Sequence, residues 1–427
     1  MKFQRGNIMS EVNINIILIL MDDLGWGDLS CFGSGAIRTP NLDRLAENGA
    51  VFRNFYASSS LCTPSRFGLL TGRYPCRGGI EGVFFPTEGS DDLKHSEDSG
   101  TVEGIGAYEV TVAELLKTKG YKTGLFGKWH LGDRSPSLPN DKGFDYFYGA
   151  LYSNDMSPYH FWRNRDIAIE APVDQSRITE YLNDELFGFI RENRDRPFFA
   201  YYASPWPHHP LNCGIKHAGR SKAGRYGDCI EEFDDGVGDL LKLLDDLELS
   251  EKTMIAFTSD NGPWHQGSTG GHRGRKANSF DGGQIVPAIF YWKNTIKPAV
   301  IDEHAMNIDL LPTFCELIGT GIPEDRIIDG KSLWPMLKGE TARSPHDHLV
   351  YINSLAKVSD GQAYAVRSRD NFKYYRAASS ENAVFGKMII EPFLFNLNDD
   401  PDESYDVKEL YPEKYRELKE YLDTWQY

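Results

Sequence analysis

Cys62, in the run Ser60-Leu61-Cys62-Thr63-Pro64-Ser65-Arg66, has neighbours suited to a reaction centre. Pro64 carries the fixed φ of a helix's first turn and Thr63 can cap it. Cys62 is thereby placed where unpaired backbone N–H groups point outward and favour an anion. Arg66, one turn further on, can reach back with a bidentate, permanently charged donor for an oxyanion. On these residues alone Cys62 is a candidate nucleophilic thiol; the plainer alternative is a buried thiol beside an ordinary helix start.

Apolar runs give way to charged or amide residues at four further places: Asp22-Asp23, Lys128 with His130, His208-His209, and Asp260-Asn261. Singly, each has a structural explanation, as a helix cap, a loop after Pro207 or an Asp-Asn-Gly turn. Together their chemistry divides in two. Asp22, Asp23 and Asp260, with the amide oxygen of Asn261, make a hard oxygen cage suited to Ca²⁺ or Mg²⁺. Zinc is disfavoured, because no Cys or His pair has a structural-zinc spacing. Arg66, Lys128 and Lys276 supply positive charge, the last from Gly271-His272-Arg273-Gly274-Arg275-Lys276. With a divalent cation the charges sum to about +2, which leaves room for a substrate anion.

The elements that must position these groups follow from periodicity. Runs rich in β-branched and aromatic residues predict strands over Asn13 to Met21, Tyr121 to Phe126, Pro197 to Ala203, Thr253 to Thr258 and Gln284 to Tyr291. Helices are predicted over Thr111 to Lys119, stopped by Gly120, and over Tyr226 to Leu247, where Leu240, Leu241, Leu244 and Leu247 form one apolar stripe. The alternation predicts an α/β fold: a large doubly wound mixed sheet flanked by helices. In such sheets ligands bind outside the carboxyl ends of the strands, where the polar clusters stand. Thr87 to Gly106 reads as a long surface loop. From about residue 340 short strand-like runs, His348 to Asn353, Ala363 to Arg369, Phe372 to Arg376 and Phe393 to Leu397, precede a charged helix from Pro412. Two units are expected: a catalytic domain over 1–340 and a C-terminal α+β subdomain over 341–427, with a small antiparallel sheet plus one helix.

Composition bounds the function. The 427 residues are 40% hydrophobic and 25% charged, which is ordinary for a large globular enzyme. A formal net charge of -16 disfavours nucleic acid or an anionic membrane as partner, so an anionic substrate needs a local positive site. The run Ile14 to Met21 is short and ends in Asp22-Asp23, which marks it as a strand rather than a targeting segment. Six cysteines without paired spacing fit free thiols, and the cytoplasm is the expected compartment.

The run from Cys62 to Arg73 resembles the Cys-x-Pro-Ser-Arg signature, with its Thr-Gly-Arg tail, of the formylglycine-dependent, arylsulfatase-like sulfatases of the alkaline phosphatase superfamily. Gly120 to His130 resembles the second signature of that family. Asp22-Asp23, and Thr258-Ser259-Asp260-Asn261-Gly262, are similar to its metal-binding segments in the same order. Leu394 to Pro401 is similar to its late strand and turn, so the likeness runs from about Ile14 nearly to the end.

The resemblance implies a modified Cys62, oxidised to formylglycine by a formylglycine-generating or radical maturation enzyme, whose aldehyde hydrate is the nucleophile. It implies that Asp22, Asp23, Asp260 and Asn261 hold Ca²⁺, with the hydrate at Cys62 as a further ligand. Lys128, Lys276 and Arg66 would hold the sulfate oxygens and the hydrate. His208 would protonate the leaving alcohol or phenol of a small-molecule sulfate ester, and His130 would take the proton that lets sulfate depart. Ser153, in Tyr152-Ser153-Asn154-Asp155, is expected to hydrogen-bond near the sulfate. The neighbouring His209 competes with His208 for its role, and Arg275 with Lys276. Two alternatives stay open: a phosphonate or phosphate ester hydrolase using the same modified cysteine, and an inactive anion-binding homologue whose Cys62 is never converted. The leaving group, aryl, steroid or sugar, is not readable, since aromatic residues serve cores as readily as pockets.

Overall fold

A computed structural model describes residues 14–80, 82–87, 104–352, 363–376, 378–382, 386–390 and 392–426. The expected loop over 87–106 lies mostly outside the described residues, as do the predicted strand ends at 13 and 353.

The main sheet is built on β1 (Asn15–Met21), all seven residues of which are buried. Its side chains alternate between two apolar clusters. Ile16, Leu18 and Leu20 join one face, packed with Phe67 and Leu69 of α2 (Cys62–Thr71) and Leu116 of α3 (Val112–Lys117). Ile17, Ile19 and Met21 join the other, with Leu42 and Leu45 of α1 (Pro40–Glu47), Leu186 of α4 (Ile178–Glu192) and Leu240 and Leu244 of α5 (Gly224–Asp246). Helices on both faces explain why β1 reads as an unbroken apolar run instead of an alternation. Thr111 caps α3 in a reciprocal box with Glu114, which is why that helix begins where the sequence predicts.

The neighbours of β1 are β7 (Phe198–Ala203) and β8 (Thr253–Ser259), both parallel to it. Outward from β7 lie β3 (Lys122–Gly127) and β4 (Tyr146–Gly149), again parallel, then β5 (Phe161–Arg163) and β6 (Asp166–Ile169), which run antiparallel to their neighbours. On the other side β9 (Ile285–Tyr291) is antiparallel to both β8 and β2 (Ala50–Tyr56), and β10 (Ala299–Ile301) and β11 (Ala305–Met306) pair with β2. Six strands, β2, β8, β1, β7, β3 and β4, therefore end at one edge of the sheet. This is the mixed, doubly wound sheet expected from the sequence.

The last part of the chain forms an antiparallel sheet of β12 (His348–Ile352), β13 (Ala363–Ser368), β14 (Phe372–Tyr375) and β17 (Phe393–Asn396). A two-stranded hairpin of β15 (Ala378–Asn382) and β16 (Gly386–Ile390) precedes β17. The charged helix over Pro412–Thr424 buries Leu418 and Leu422. Among the described residues no helix is long and apolar enough to cross a membrane.

A buried ionic cluster joins the two sheets. Lys373 of β14 places Nζ 2.5 Å from Asp281 Oδ1 and 2.9 Å from Glu403 Oε1. Tyr56 and Tyr351 donate to the same aspartate at 2.9 and 3.1 Å. Removing the cation leaves two buried carboxylates short of their counter-charge. Lys373→Met is therefore expected to cost about 3 kcal/mol of stability, measured as a fall in the urea midpoint at unchanged m-value.

Candidate active site

The edge where the six strands end collects the polar clusters. Asp22 and Asp23 follow β1, Cys62 follows β2, Lys128 and His130 follow β3, Ser153 follows β4, His208 follows β7, and Asp260 and Asn261 follow β8; all are buried. Lys276 reaches the same place from the β8–β9 loop. Two of these residues adopt left-handed backbone, Asp23 at φ 63° and His130 at φ 61°, the kind of strain that clusters at functional sites. Gly127 is needed for close approach: at φ 115° a Cβ would lie 1.9 Å from the Ala203 carbonyl oxygen. The chain can then turn so that the Lys128 N–H donates to that carbonyl at 2.8 Å.

Cys62 opens α2, whose ten residues are all buried, with Leu61 as N-cap. The expected cap by Thr63 is not made: the helix starts before it, and its hydroxyl accepts from the Phe84 N–H at 3.2 Å. Burial pushes the Cys62 thiol up despite the nearby charges of Lys128 and Lys276. A neutral thiol is a weak nucleophile, so the surroundings do not support Cys62 acting as a thiolate. Asn307 braces this segment, accepting from the Ser58 N–H at 3.0 Å and donating to Ser65 Oγ at 2.9 Å. Nothing in the sequence marks Asn307, an isolated asparagine far along the chain.

The carboxylates and the Asn261 amide lie close together. Asp23 N–H donates to Asp260 Oδ1 at 3.2 Å, and Asn261 Nδ2 donates to Asp23 Oδ1 at 2.7 Å. Asp22 Oδ1 and Asn261 Oδ1 are buried without hydrogen-bond partners. Burial and the charge of Asp22 push Asp260 up to about 7, against the pull of Arg66. Burial also works against ionisation of Asp22, but Lys128, His208, Arg66 and Lys276 outweigh it and hold that carboxyl low. Crowded carboxylates with orphaned oxygens suit a hard divalent cation, which would supply the missing partner and relieve the mutual repulsion. His208 joins Asp22 and Asp23 in a set whose ligand atoms lie within 4.8 Å of one another.

The cations are deployed unequally. Lys128 Nζ bonds Asp22 Oδ2 at 2.5 Å and Ser153 Oγ at 3.0 Å, and Lys276 Nζ lies 2.9 Å from the Asp23 carboxylate. Arg66, expected as an oxyanion donor, is committed elsewhere: Nε and Nη2 bond Asp260 Oδ2 at 3.0 and 2.8 Å, and Nη1 bonds the Lys128 carbonyl at 3.0 Å. Arg275 ties the loop instead, donating to the Trp264 and Gly267 carbonyls at 2.7 Å. Of the two adjacent histidines, His208 is buried with Nε2 3.7 Å from Asp23 Oδ2, and His209 is exposed. His130 Nε2 lies 2.9 Å from the Phe84 carbonyl, which can only accept. Nε2 therefore carries the proton, and Nδ1 is a buried, unpartnered lone pair. Burial, with Lys128 and Arg66, holds His130 well below the ordinary histidine range and keeps it neutral. A cavity of about 320 Å³ is walled in part by Leu151, Tyr152, Tyr159, His160 and Trp162, and none of the candidate site residues lines it.

An oxygen cage, two lysines and two histidines around a helix that starts at Cys62 define a hydrolase site for an anionic ester. The chain belongs to the sulfatase family: the family profile described as Sulfatase matches residues 14–320. Sulfatases are sulfuric ester hydrolases that generally use a metal ion and a formylglycine. Among curated proteins, human arylsulfatase A is 36% identical over 92% of this chain and 83% of its own length. Human steryl-sulfatase is 35% identical over 91% and 83%. The solved structure of a sulfatase from Pseudoalteromonas sp. is similar with a TM-score of 0.83 at 27% identity, covering 96% of this chain and 89% of that one.

Proposed function

We propose that this protein hydrolyses a sulfate monoester to an alcohol or phenol and inorganic sulfate, with Ca²⁺ in the cage of Asp22, Asp23, Asp260 and Asn261 and with Cys62 converted to formylglycine. The observation that carries this reading is the convergence of the cage, Lys128 and Lys276 on a buried, neutral Cys62 at a helix start. Converted, Cys62 supplies a hydrated aldehyde, one hydroxyl to attack sulfur and a second whose deprotonation releases sulfate. Ca²⁺ supplies Lewis acidity to that centre, and Mg²⁺ is the alternative occupant of an all-oxygen cage.

Lys128 and Lys276 neutralise the sulfate oxygens, and Arg66 holds Asp260 in place behind the cage. His208 delivers a proton from Nε2 to the leaving oxygen, and His130 accepts one at Nδ1. Ser153 links Lys128 to His208, 3.0 Å from one and 3.4 Å from Nδ1 of the other. The C-terminal unit over 341–427 braces the Lys276 loop through Lys373 and Asp281. Six cysteines with no disulfide among them support a reducing compartment such as the cytoplasm, and conversion of Cys62 makes a maturation enzyme a required partner.

Two measurements test this. The Cys62 peptide of active protein is expected to be lighter than the cysteine form, as formylglycine is. Turnover of matched 4-nitrophenyl sulfate and phosphate is expected to favour sulfate by at least about tenfold in kcat/KM, or about 1.4 kcal/mol. A preference for phosphate would replace this reading with a phosphate or phosphonate ester hydrolase.

A further inference from the structure

We propose that Asn154 and Gln175 are positioning residues for the proton donor, holding His208 in the one ring orientation that turns Nε2 toward the ester. This rests on His208 being the acid. Asn154 is buried, with Oδ1 3.1 Å from His208 Nδ1. Its amide has no freedom to flip, because Nδ2 donates to the Pro210 carbonyl and to Gln175 Oε1, both at 3.2 Å. The Gln175 amide is fixed in turn, since its Nε2 donates to the Asn154 carbonyl at 2.8 Å. Oδ1 must therefore face the histidine.

Nδ1 of His208 also lies 2.6 Å from the His209 carbonyl. The Ser153 hydroxyl, which can donate or accept, is farther away at 3.4 Å; the two nearer oxygens can only accept, so Nδ1 carries a hydrogen and the opposite nitrogen is the one that exchanges a proton with substrate. The geometry agrees, because Nε2 is the atom beside Asp23 Oδ2. Gln175 stands in a short helical turn that leads directly into α4, so the ring is tied through two amides to a rigid element. The side chains of Asp155 and His209, next in sequence to Asn154 and His208, are exposed, but the His209 carbonyl and its stacked ring also hold His208.

Losing the Asn154 oxygen leaves the His209 carbonyl as the only pure acceptor at Nδ1, and a ring that turns about Cβ–Cγ puts the carbon Cε1 where Nε2 stood. The cost should fall only where an acid is needed. A nitrophenolate leaves without help, but an alkoxide does not. Asn154→Ala is expected to lower kcat about 10- to 100-fold on an alkyl or sugar sulfate and less than about threefold on 4-nitrophenyl sulfate, with KM little changed. Gln175→Ala, which frees the Asn154 amide but leaves it present, should show the same dependence with a smaller amplitude. His208→Ala, run alongside, should show it with the largest amplitude.

If His208→Ala depresses both substrates equally, His208 is not the acid and the acid assignment itself is wrong. If His208→Ala discriminates but Asn154→Ala and Gln175→Ala depress both substrates equally, or neither, the positioning role is overturned. Should Asn154→Ala fail to fold, Gln175→Ala decides alone.

Discussion

Cys62→Ala is expected to reduce sulfate ester turnover by more than about 10⁴-fold in kcat, a loss of more than about 5 kcal/mol of transition-state stabilisation. The cage and lysines would still bind the ester, but nothing would replace the attacking group. The thiol is 2% exposed, and trading it for a methyl group leaves only a small cavity, so folding should survive with a modest loss of stability. Cys62→Ser separates the modified residue from a simple hydroxyl. Serine has one hydroxyl where a hydrated aldehyde has two, so it can take up sulfate but has no second group to expel it. Release of at most one equivalent of phenol per chain is expected, followed by arrest. Sustained turnover by either variant at the parent rate would remove Cys62 from the mechanism.

The second large effect is expected on stripping divalent metal with a chelator. Turnover should fall by more than about 10²-fold, because the cations and carboxylates would then neutralise one another instead of polarising the ester. Stability should fall as well. A cation bound only by the folded state adds about 2.7 kcal/mol when present at a hundred times its dissociation constant. Returning Ca²⁺ should restore both, and Asp260→Asn should abolish the response. That variant also deprives Arg66, which is fully buried, of its closest carboxylate. The remaining carboxylate contact, to Asp22 Oδ2, is 3.4 Å long, so a further loss of about 3 kcal/mol is expected from an under-compensated buried charge. Thermal melts of parent and variant, with and without Ca²⁺, measure all of this. A melting temperature indifferent to chelation in the parent would count against the cage.

Much of this was legible because the signals were local. The core strands read as continuous apolar runs because helices cover both faces of the sheet, and the polar clusters at their ends mark the working edge. The C-terminal sheet was visible in four short runs, each found as a strand. What escaped were single polar residues whose partners lie far away. Asn307 meets Ser65 across 242 positions, and Glu403 meets Asp281 across 122. Asn154 and Gln175 belong to the same group, being isolated amides in loops with no periodicity to betray them. Thr63 illustrates the opposite error. Its local role as a cap was plausible, and the helix start at Cys62 overrode it.

By itself the sequence determined the inventory and its order: a cysteine at a helix start, three carboxylates and an amide, two lysines, and histidines placed after strands. Tertiary structure decided how that inventory is used. Six strands end at one edge, so groups far apart in the chain meet within hydrogen-bonding distance. Burial there lifts Cys62 out of the thiolate range, leaves His130 neutral and raises Asp260 toward neutrality. It also separates His208 from the exposed His209, and pairs Arg66 with Asp260. These are consequences of desolvation and of charges brought close in space, which no single stretch of residues contains.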